Sequence, residues 1–294
     1  MRDPLVRERC VRGPGYLVGE FYCHPDSELW QHENRIVLGP LLVFPGPAVE
    51  IVPAGHASLI ADANHAVFYN PHQPYRRRLL DPRGDHCVFL GVPPETLAEI
   101  VAMYDPAARD RVHGPYRYSS GPITPRDYLE RQRIRRAAFL DRADPLCLHE
   151  SVLALFHSVV AASYRARGAA EGPRRETARR HREAVQELQR LLATRYMEPL
   201  TLDDMAATVG LSAFHAARLF REHTGATLHH YRNQLRLTEG LQRLAEPACS
   251  LTDIALDLGY SSHSHFTAAF RRAFGVAPSR ARHLVIVERD SARP

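Results

Sequence analysis

The chain contains no lysine, so all 38 of its basic residues are arginine. Genomic codon bias accounts for that absence most simply, and it implies no selection for guanidinium chemistry. Cysteine is scarce: Cys10, Cys23, Cys87, Cys147 and Cys249 are odd in number, widely scattered and form no C-x-x-C pair, which argues against a disulfide scaffold or a zinc ribbon. Long hydrophobic runs are missing as well. Leu41 to Gly46 and Val152 to Ala162 are broken by Pro or His and fall short of the ~18 to 20 residues of a membrane span, so no transmembrane helix is expected. Met1 to Arg12 is charged and never opens into an apolar run ahead of a cleavage site, and a cytoplasmic location is the expectation. There is no G-x-S-x-G, P-loop or G-x-G-x-x-G, so neither catalysis nor a cofactor is expected.

What is present fits an ordinary globular protein. With 45% hydrophobic and 24% charged residues over 294 positions, the chain can bury a sizeable core and is long enough for two domains. Its net charge of +5 is unevenly spread: Met1 to Pro173 holds 20 Arg against 20 acids, whereas Arg174 to Pro294 holds 18 Arg against 13. A basic module beside a neutral one points to a polyanion partner, most commonly nucleic acid.

Short β runs separated by Gly, Pro, Asn and Asp fill the first third: Tyr16 to Cys23, Arg35 to Phe44, Ala48 to Val52, Ala57 to Ala61, His65 to Tyr69, Tyr75 to Leu80 and His86 to Leu90. This spacing predicts a sandwich or barrel. On the strand Tyr75 to Leu80, Arg76 and Arg78 project to one face and Arg77 to the other, either as solvated edge charge or as a clamp for an acidic ligand. Helical patterns follow at Pro93 to Tyr104, Arg126 to Asp141 and Leu148 to Tyr164. In the last of these, Leu148, Val152, Leu155, Phe156 and Val159 form one stripe, which suits intradomain core or a dimer helix pair. The polar segment Ala166 to Glu176 reads as a linker.

The C-terminal part is internally duplicated. Met205-Ala206, Gly210, Phe220-Arg221 and Gly225 recur as Ile254-Ala255, Gly259, Phe270-Arg271 and Gly275, at offsets of 49 residues before the turn and 50 after it. Each copy opens on a capping signature, Thr201-Leu-Asp-Asp204 and Ser250-Leu-Thr-Asp253, which starts a short helix. Gly210 and Gly259 then allow a tight reversal at positive φ. A second helix follows, burying Ala216, Leu219 and Phe220 in one copy and Phe266, Ala269 and Phe270 in the other. The unit is a helix-turn-helix, present twice. The 18-residue pattern Leu228 to Ala245 between the copies spans about 27 Å at ~1.5 Å per residue, against the ~34 Å between successive major-groove faces.

Thr201-Leu-Asp-Asp-Met-Ala, Gly210-Leu-Ser, Arg218-Leu-Phe-Arg, Tyr231, Leu235-Arg-Leu, Ile254-Ala, Leu258-Gly-Tyr, Ser264-His-Phe, Phe270-Arg-Arg, Phe274-Gly and Ala277-Pro-Ser together resemble the DNA-binding domain of AraC/XylS-type transcriptional regulators, over about Ala184 to Arg282. The resemblance implies a cupin-like sensor in the N-terminal half, where Glu50-Ile, Gly55, Leu59, Asp62, Asn64, Phe68, Asn70 and Gly84-Asp85 are similar to many members. The implied fold is two-domain: a β-rich, cupin-like barrel with added helices, then an all-α tandem helix-turn-helix domain. The corresponding division is a sensor over residues 1–120, a helical segment open to dimerisation over 121–165, a linker over 166–176 and the DNA-binding domain over 177–294.

Carried over position by position, the resemblance implies base readout by Phe214, Ala217 and Arg218 from the first recognition helix and by His263, Ser264, His265, Thr267 and Ala268 from the second. Arg218 suits guanine O6 and N7, and Thr267 or Phe214 a thymine methyl. Ala268 stands where many relatives carry Arg, which weakens readout by the second helix or leaves it to histidine. Arg221, Arg271 and Arg272 read as phosphate contacts, which position without specifying. Double-stranded DNA and an unidentified small-molecule effector are the implied partners, a homodimer and RNA polymerase are further candidates, and no membrane is involved.

A cupin-type metal-dependent enzyme with an accessory DNA-binding module is the alternative. Against it, His24, His32, His56, His65, His72 and His86 supply no H-x-H on a strand. His263-Ser-His265 lies on a helix, where i and i+2 diverge. Cys23-His24 and His86-Cys87 leave a four-ligand site chemically possible, but no metal is expected.

Overall fold

The computed structural model describes residues 3–55, 57–139, 144–167, 175–246 and 249–285. The N-terminal unit contains β1 (Val6–Gly13), β2 (Tyr16–Cys23), β3 (Asn34–Arg35), β4 (Leu41–Pro45), β5 (Val49–Pro53), β6 (Leu59–Ala61), β7 (His65–Tyr69), β8 (Pro74–Leu79), β9 (Asp85–Gly91) and α1 (Pro94–Ala102). It continues through β10 (Ser120–Pro122), α2 (Pro125–Phe139) and α3 (Pro145–Arg167). The strands form a six-stranded sheet in the order β1-β2-β9-β4-β7-β10 and a four-stranded sheet in the order β3-β8-β5-β6. All the pairings are antiparallel.

Two elements depart from expectation. β1 carries no alternating apolar pattern, yet it pairs with β2 along its whole length, from Val6 opposite Cys23 to Gly13 opposite Tyr16. It is an edge strand whose charged side chains stay exposed, a usual way of keeping an edge from pairing with another chain. The run Arg35 to Phe44 divides, because Gly39-Pro40 interrupts it and proline lacks the N–H a ladder needs. β3 therefore joins the small sheet and β4 the large one.

The two-residue period of a strand sorts the sheet faces. Leu41, Val43, Tyr69, Cys87 and Phe89 of the large sheet face Val49, Ile51 and Tyr75 of the small one, around a cavity of about 270 Å³. The opposite face of the large sheet, with Leu42, Phe44, Phe68 and Leu90, shares a core with Tyr128 and Ile134 of α2 and with α3. Leu148, Val152, Leu155, Phe156 and Val159 are all buried in that core. The stripe is thus intradomain core, and its five members do not supply a dimer seam. α3 is also long and apolar enough to cross a membrane by length and composition, which the interrupted runs had not suggested.

The three consecutive arginines divide as the pleat requires. Arg76 and Arg78 are exposed, while Arg77 is buried and donates from Nη1 to the buried Asp85 at 2.9 Å. Arg77 is therefore neither a solvated edge charge nor a clamp with its charge free. Of the expected linker, residues 168–174 lie outside the described residues; Ala166 and Arg167 end α3, and α4 (Arg175–Arg195) begins beyond them.

The C-terminal unit continues with α5 (Leu202–Thr208), α6 (Ala213–Thr224), α7 (Leu228–Arg243), α8 (Leu251–Asp257), α9 (His263–Phe274) and α10 (Pro278–Val285). Every helix from α5 to α9 starts on a hydroxyl cap: Thr201, Ser212, Thr227, Ser250 and Ser262 each accept a backbone N–H of the first turn. Thr201 and Asp204 complete a reciprocal capping box. Thr201→Ala should lower unfolding free energy by about 1 kcal/mol and Thr201→Ser by much less; equal denaturation midpoints for Ala, Ser and wild type would show that the cap contributes nothing.

The two units are packed together. Tyr231 of α7 donates its hydroxyl to Asp62 at 2.6 Å, and its carbonyl accepts from Asn64 at 3.2 Å. Arg190 of α4 pairs with the buried Glu50 at 2.9 Å, Arg83 with Glu239 at 3.2 Å, and Gln242 donates to the Tyr128 hydroxyl at 2.6 Å.

Candidate nucleic-acid interface

The candidate interface is built from two copies of one local geometry. α5 and α8 have 7 residues each, and α6 and α9 have 12 each. The turns between them pass through Gly210 at φ +64° and Gly259 at φ +76°, a conformation that costs an L side chain about 1 kcal/mol or more. The reversal lets each second helix lay one face on the core. Ala216, Leu219 and Phe220 are buried in α6, and Phe266, Phe270 and Phe274 in α9. Ala269, expected in the core, is only half-buried, and Phe274 takes the inner position one turn later.

The outer faces are repeat-equivalent. Phe214, Ala217, Arg218 and Arg221 lie at i, i+3, i+4 and i+7 of one helical face, and the 50-residue offset maps them onto Ser264, Thr267, Ala268 and Arg271. Phe214 is 78% exposed, high for an aromatic with no covering contact. Arg218 is half exposed and only loosely paired with Glu222 at 3.4 Å, a surface ion pair of small energy that readily yields to another acceptor. Arg221, Arg271 and Arg272 are exposed, and Ala217 is half-buried.

On α9, one surface depression brings together His263, Ser264, Thr267, Ala268, Arg271 and Arg272. His263 Nε2 lies 3.4 Å from the Thr267 hydroxyl one turn on. His265 lies outside this depression: its Nδ1 is 3.1 Å from the Ser261 hydroxyl, and its ring stands edge-on to Tyr260 with centroids 5.5 Å apart. The Arg218 position is filled by Ala268, so the two faces are chemically unequal. The first offers an aromatic ring and a guanidinium fork, the second hydroxyls and an imidazole above two arginines.

α7 joins the copies and has 16 residues, about 24 Å at ~1.5 Å per residue. Arg232, not singled out from the sequence, and Arg236, noted only within Leu235-Arg-Leu, lie one turn apart on it. Arg236 donates to the carbonyls of Tyr196 at 2.8 Å and Met197 at 3.2 Å, and Arg232 to those of Tyr196 at 3.2 Å and Leu200 at 2.9 Å. They satisfy the carbonyls beyond the end of α4 and fix the first helix-turn-helix on α7. Burial holds both guanidinium groups below the ordinary arginine range. Arginines at i and i+4 on an otherwise amphipathic helix were the available signal.

Of the N-terminal residues weighed as metal ligands, His56 lies outside the described residues, and the Cys23-His24 and His86-Cys87 pairs do not form a four-ligand group. β2 and β9 pair Cys23 with Asp85 and Tyr22 with His86, so His86 and Cys87 leave β9 on opposite faces, and Cys87 faces the cavity. His24 lies past the end of β2, beside Asp26 at 3.4 Å. Among the described residues, no three His, Cys, Asp or Glu side chains are grouped so as to hold a metal ion.

Comparison with known proteins agrees with the helical geometry. Residues 205–283 match the family described as a helix-turn-helix domain. The transcriptional activator RhaS of Pectobacterium carotovorum is 37% identical over 102 residues, covering 35% of this chain and 37% of RhaS, so the match spans well under half of that relative. The regulatory protein SoxS of Escherichia coli is 36% identical over 103 residues, covering 35% of this chain and 96% of SoxS. A solved transcriptional regulator with an AraC-type DNA-binding domain, from Chromobacterium violaceum, is 31% identical, covers 37% of this chain and 95% of its own, and superposes with a TM-score of 0.32. Two capped helix-turn-helix copies, fixed on one connecting helix and matching nearly all of SoxS, place this chain in the AraC/XylS-type family of transcriptional regulators.

Proposed function

We propose that this chain is a cytoplasmic transcriptional regulator that reads double-stranded DNA with α6 and α9 and answers to a small molecule held by its N-terminal unit. The observation that supports the DNA reading best is the pair of repeat-equivalent exposed faces, each at i, i+3, i+4 and i+7 and each ending on an arginine, in the half of the chain that carries all the excess positive charge. Base specificity falls mainly to Arg218 and Phe214 of α6, since Ala268 offers α9 no polar group. Arg221, Arg271 and Arg272 hold phosphates. RNA polymerase contact and a homodimer belong to the same reading, although a dimer would use a surface other than the buried stripe of α3. A metal-dependent enzyme finds no donor set among the described residues.

The sensor reading rests on the pleat of the small sheet. Val49, Ile51 and Ala61 line the cavity, while the intervening Glu50 and the adjacent Asp62 bond Arg190 of α4 and Tyr231 of α7. A molecule that moves these strands changes the contacts that hold the DNA-reading unit.

Full-length protein on its recovered genomic site tests the DNA reading. Arg218→Ala should cost about 1 to 3 kcal/mol there and relax base preference at one position, whereas Arg271→Ala should weaken specific and random DNA alike. The Arg271→Ala variant should also flatten the slope of log affinity against log salt by about 0.9. Equal losses on both DNAs for the two variants would make Arg218 a phosphate contact and leave base reading without its main residue.

A further inference from the structure

The cavity between the two sheets restricts the chemistry of what it can hold. Its walls are the inward side chains of both sheets, among them Val43, Val49, Ile51 and Phe89, and the polar groups that line it include Arg77 and Asp85. At about 270 Å³ it exceeds the ~150 Å³ apolar cavity that accepts benzene and falls just below the ~300 Å³ at which pockets for drug-sized ligands begin. A substituted single ring or a fused pair of rings is the matching size. On the rim, Val37 is 71% exposed and Leu38 is also open to solvent, so the approach is apolar as well.

Charge is cancelled inside. Arg77 donates from Nη1 to Asp85 at 2.9 Å and from Nη2 to the Tyr75 hydroxyl at 3.1 Å and to Asn34 at 3.4 Å. The Phe21 ring lies under its guanidinium at 4.7 Å. Its Nε is enclosed by protein as well. An anionic ligand would bring a second negative charge beside Asp85, and a cationic one a second positive charge beside Arg77. Either would sit in a site of low dielectric with its countercharge already taken.

Resting on the sensor reading above, we propose that the cavity binds an uncharged, largely apolar molecule of one or two rings. The ion pair keeps the guanidinium oriented and removes its attraction for carboxylates, so the site selects a phenol, ketone, ester or alcohol over the corresponding acid.

Calorimetric titration of the full-length protein at neutral pH with three probes of one shape tests this: 1-naphthol, 1-naphthoate and 1-(aminomethyl)naphthalene, respectively neutral, anionic and cationic. The neutral probe should bind at least tenfold more tightly than either ion. Asp85→Asn leaves the Arg77 charge uncompensated and should swing the preference at least tenfold toward naphthoate. Ile51→Phe, which grows into the void and leaves the ion pair alone, should abolish naphthol binding in a protein with unchanged circular dichroism. Naphthoate bound as tightly as naphthol by the wild type would overturn the proposed ligand class while leaving a sensor cavity in place. Binding of none of the three would overturn the class and the sensor reading together. Undiminished naphthol binding by folded Ile51→Phe would place the ligand outside the cavity and sink the proposal even if Asp85→Asn fails to fold.

Discussion

Val152→Asp unfolds the chain instead of separating two copies of it: that is the expected result for a residue with no exposed surface in the middle of α3. Its stripe neighbours Leu148, Leu155, Phe156 and Val159 are equally enclosed, in one core with Phe44 and Leu90 of the large sheet and Ile134 of α2. A carboxylate there either stays charged without a partner or takes up a proton and remains an unsatisfied polar group. Leaving a buried charge uncompensated costs about 3 to 5 kcal/mol, a large share of the ~5 to 15 kcal/mol that holds a typical domain folded. Urea unfolding followed by circular dichroism should show the transition shifted to far lower denaturant or absent. Wild-type melting of the variant, together with a smaller hydrodynamic radius, would instead show that this stripe meets another molecule in solution.

Phe270→Ala and Phe220→Ala should each lose about 3 to 5 kcal/mol, but with different consequences for the domain contact. The two phenylalanines occupy equivalent positions in the repeat and both are fully buried. Phe270 packs within its own copy, its ring tilted against Phe266 with centroids at 5.5 Å and against Phe274 at 4.3 Å. Phe220 instead stands edge-on to Tyr231 at 5.3 Å, and Tyr231 carries the hydroxyl that reaches Asp62 across the domain boundary. Truncating Phe220 removes a wall beside that tyrosine. Hydrogen exchange should therefore show loosened amides at Asp62 and Asn64 in Phe220→Ala and native protection there in Phe270→Ala. The same protection in both variants would mean that Asp62 and Asn64 hold Tyr231 in place without the Phe220 ring.

The helix-turn-helix copies were legible because their determinants are local. A hydroxyl cap and its acidic partner are three residues apart, the turn needs one glycine, and the buried face needs apolar residues at i, i+3 and i+4. All of these lie within about twenty residues in each copy, from Thr201 to Phe220 and from Ser250 to Phe270, and the duplication states them twice. The outer helix faces follow from the same spacing, which is why Phe214, Arg218, Arg221 and Arg271 lie exposed on the surface. His265 was expected from the resemblance among the base-reading residues of α9; its contacts with Ser261 and Tyr260 depend on how the turn folds back. β1 gave no signal, since an exposed edge strand needs no apolar alternation and is held by its partner's backbone.

By itself the sequence determined the two capped helix-turn-helix units, the basic charge of the half that contains them, and the strand-rich character of the other half, all properties of short segments. Only the tertiary structure decided what each apolar or charged face meets. The α3 stripe has the same period whether it meets its own domain or a second copy, and here the large sheet together with α1 and α2 of the same chain covers it. The alternation of Arg76, Arg77 and Arg78 told which one differs from its neighbours but not that Asp85, on a strand of the other sheet, would neutralise it. Tyr231 and Asp62 are 169 residues apart. No periodicity carries information over that distance, because a pairing of this kind exists only once both backbones have been placed by their own cores.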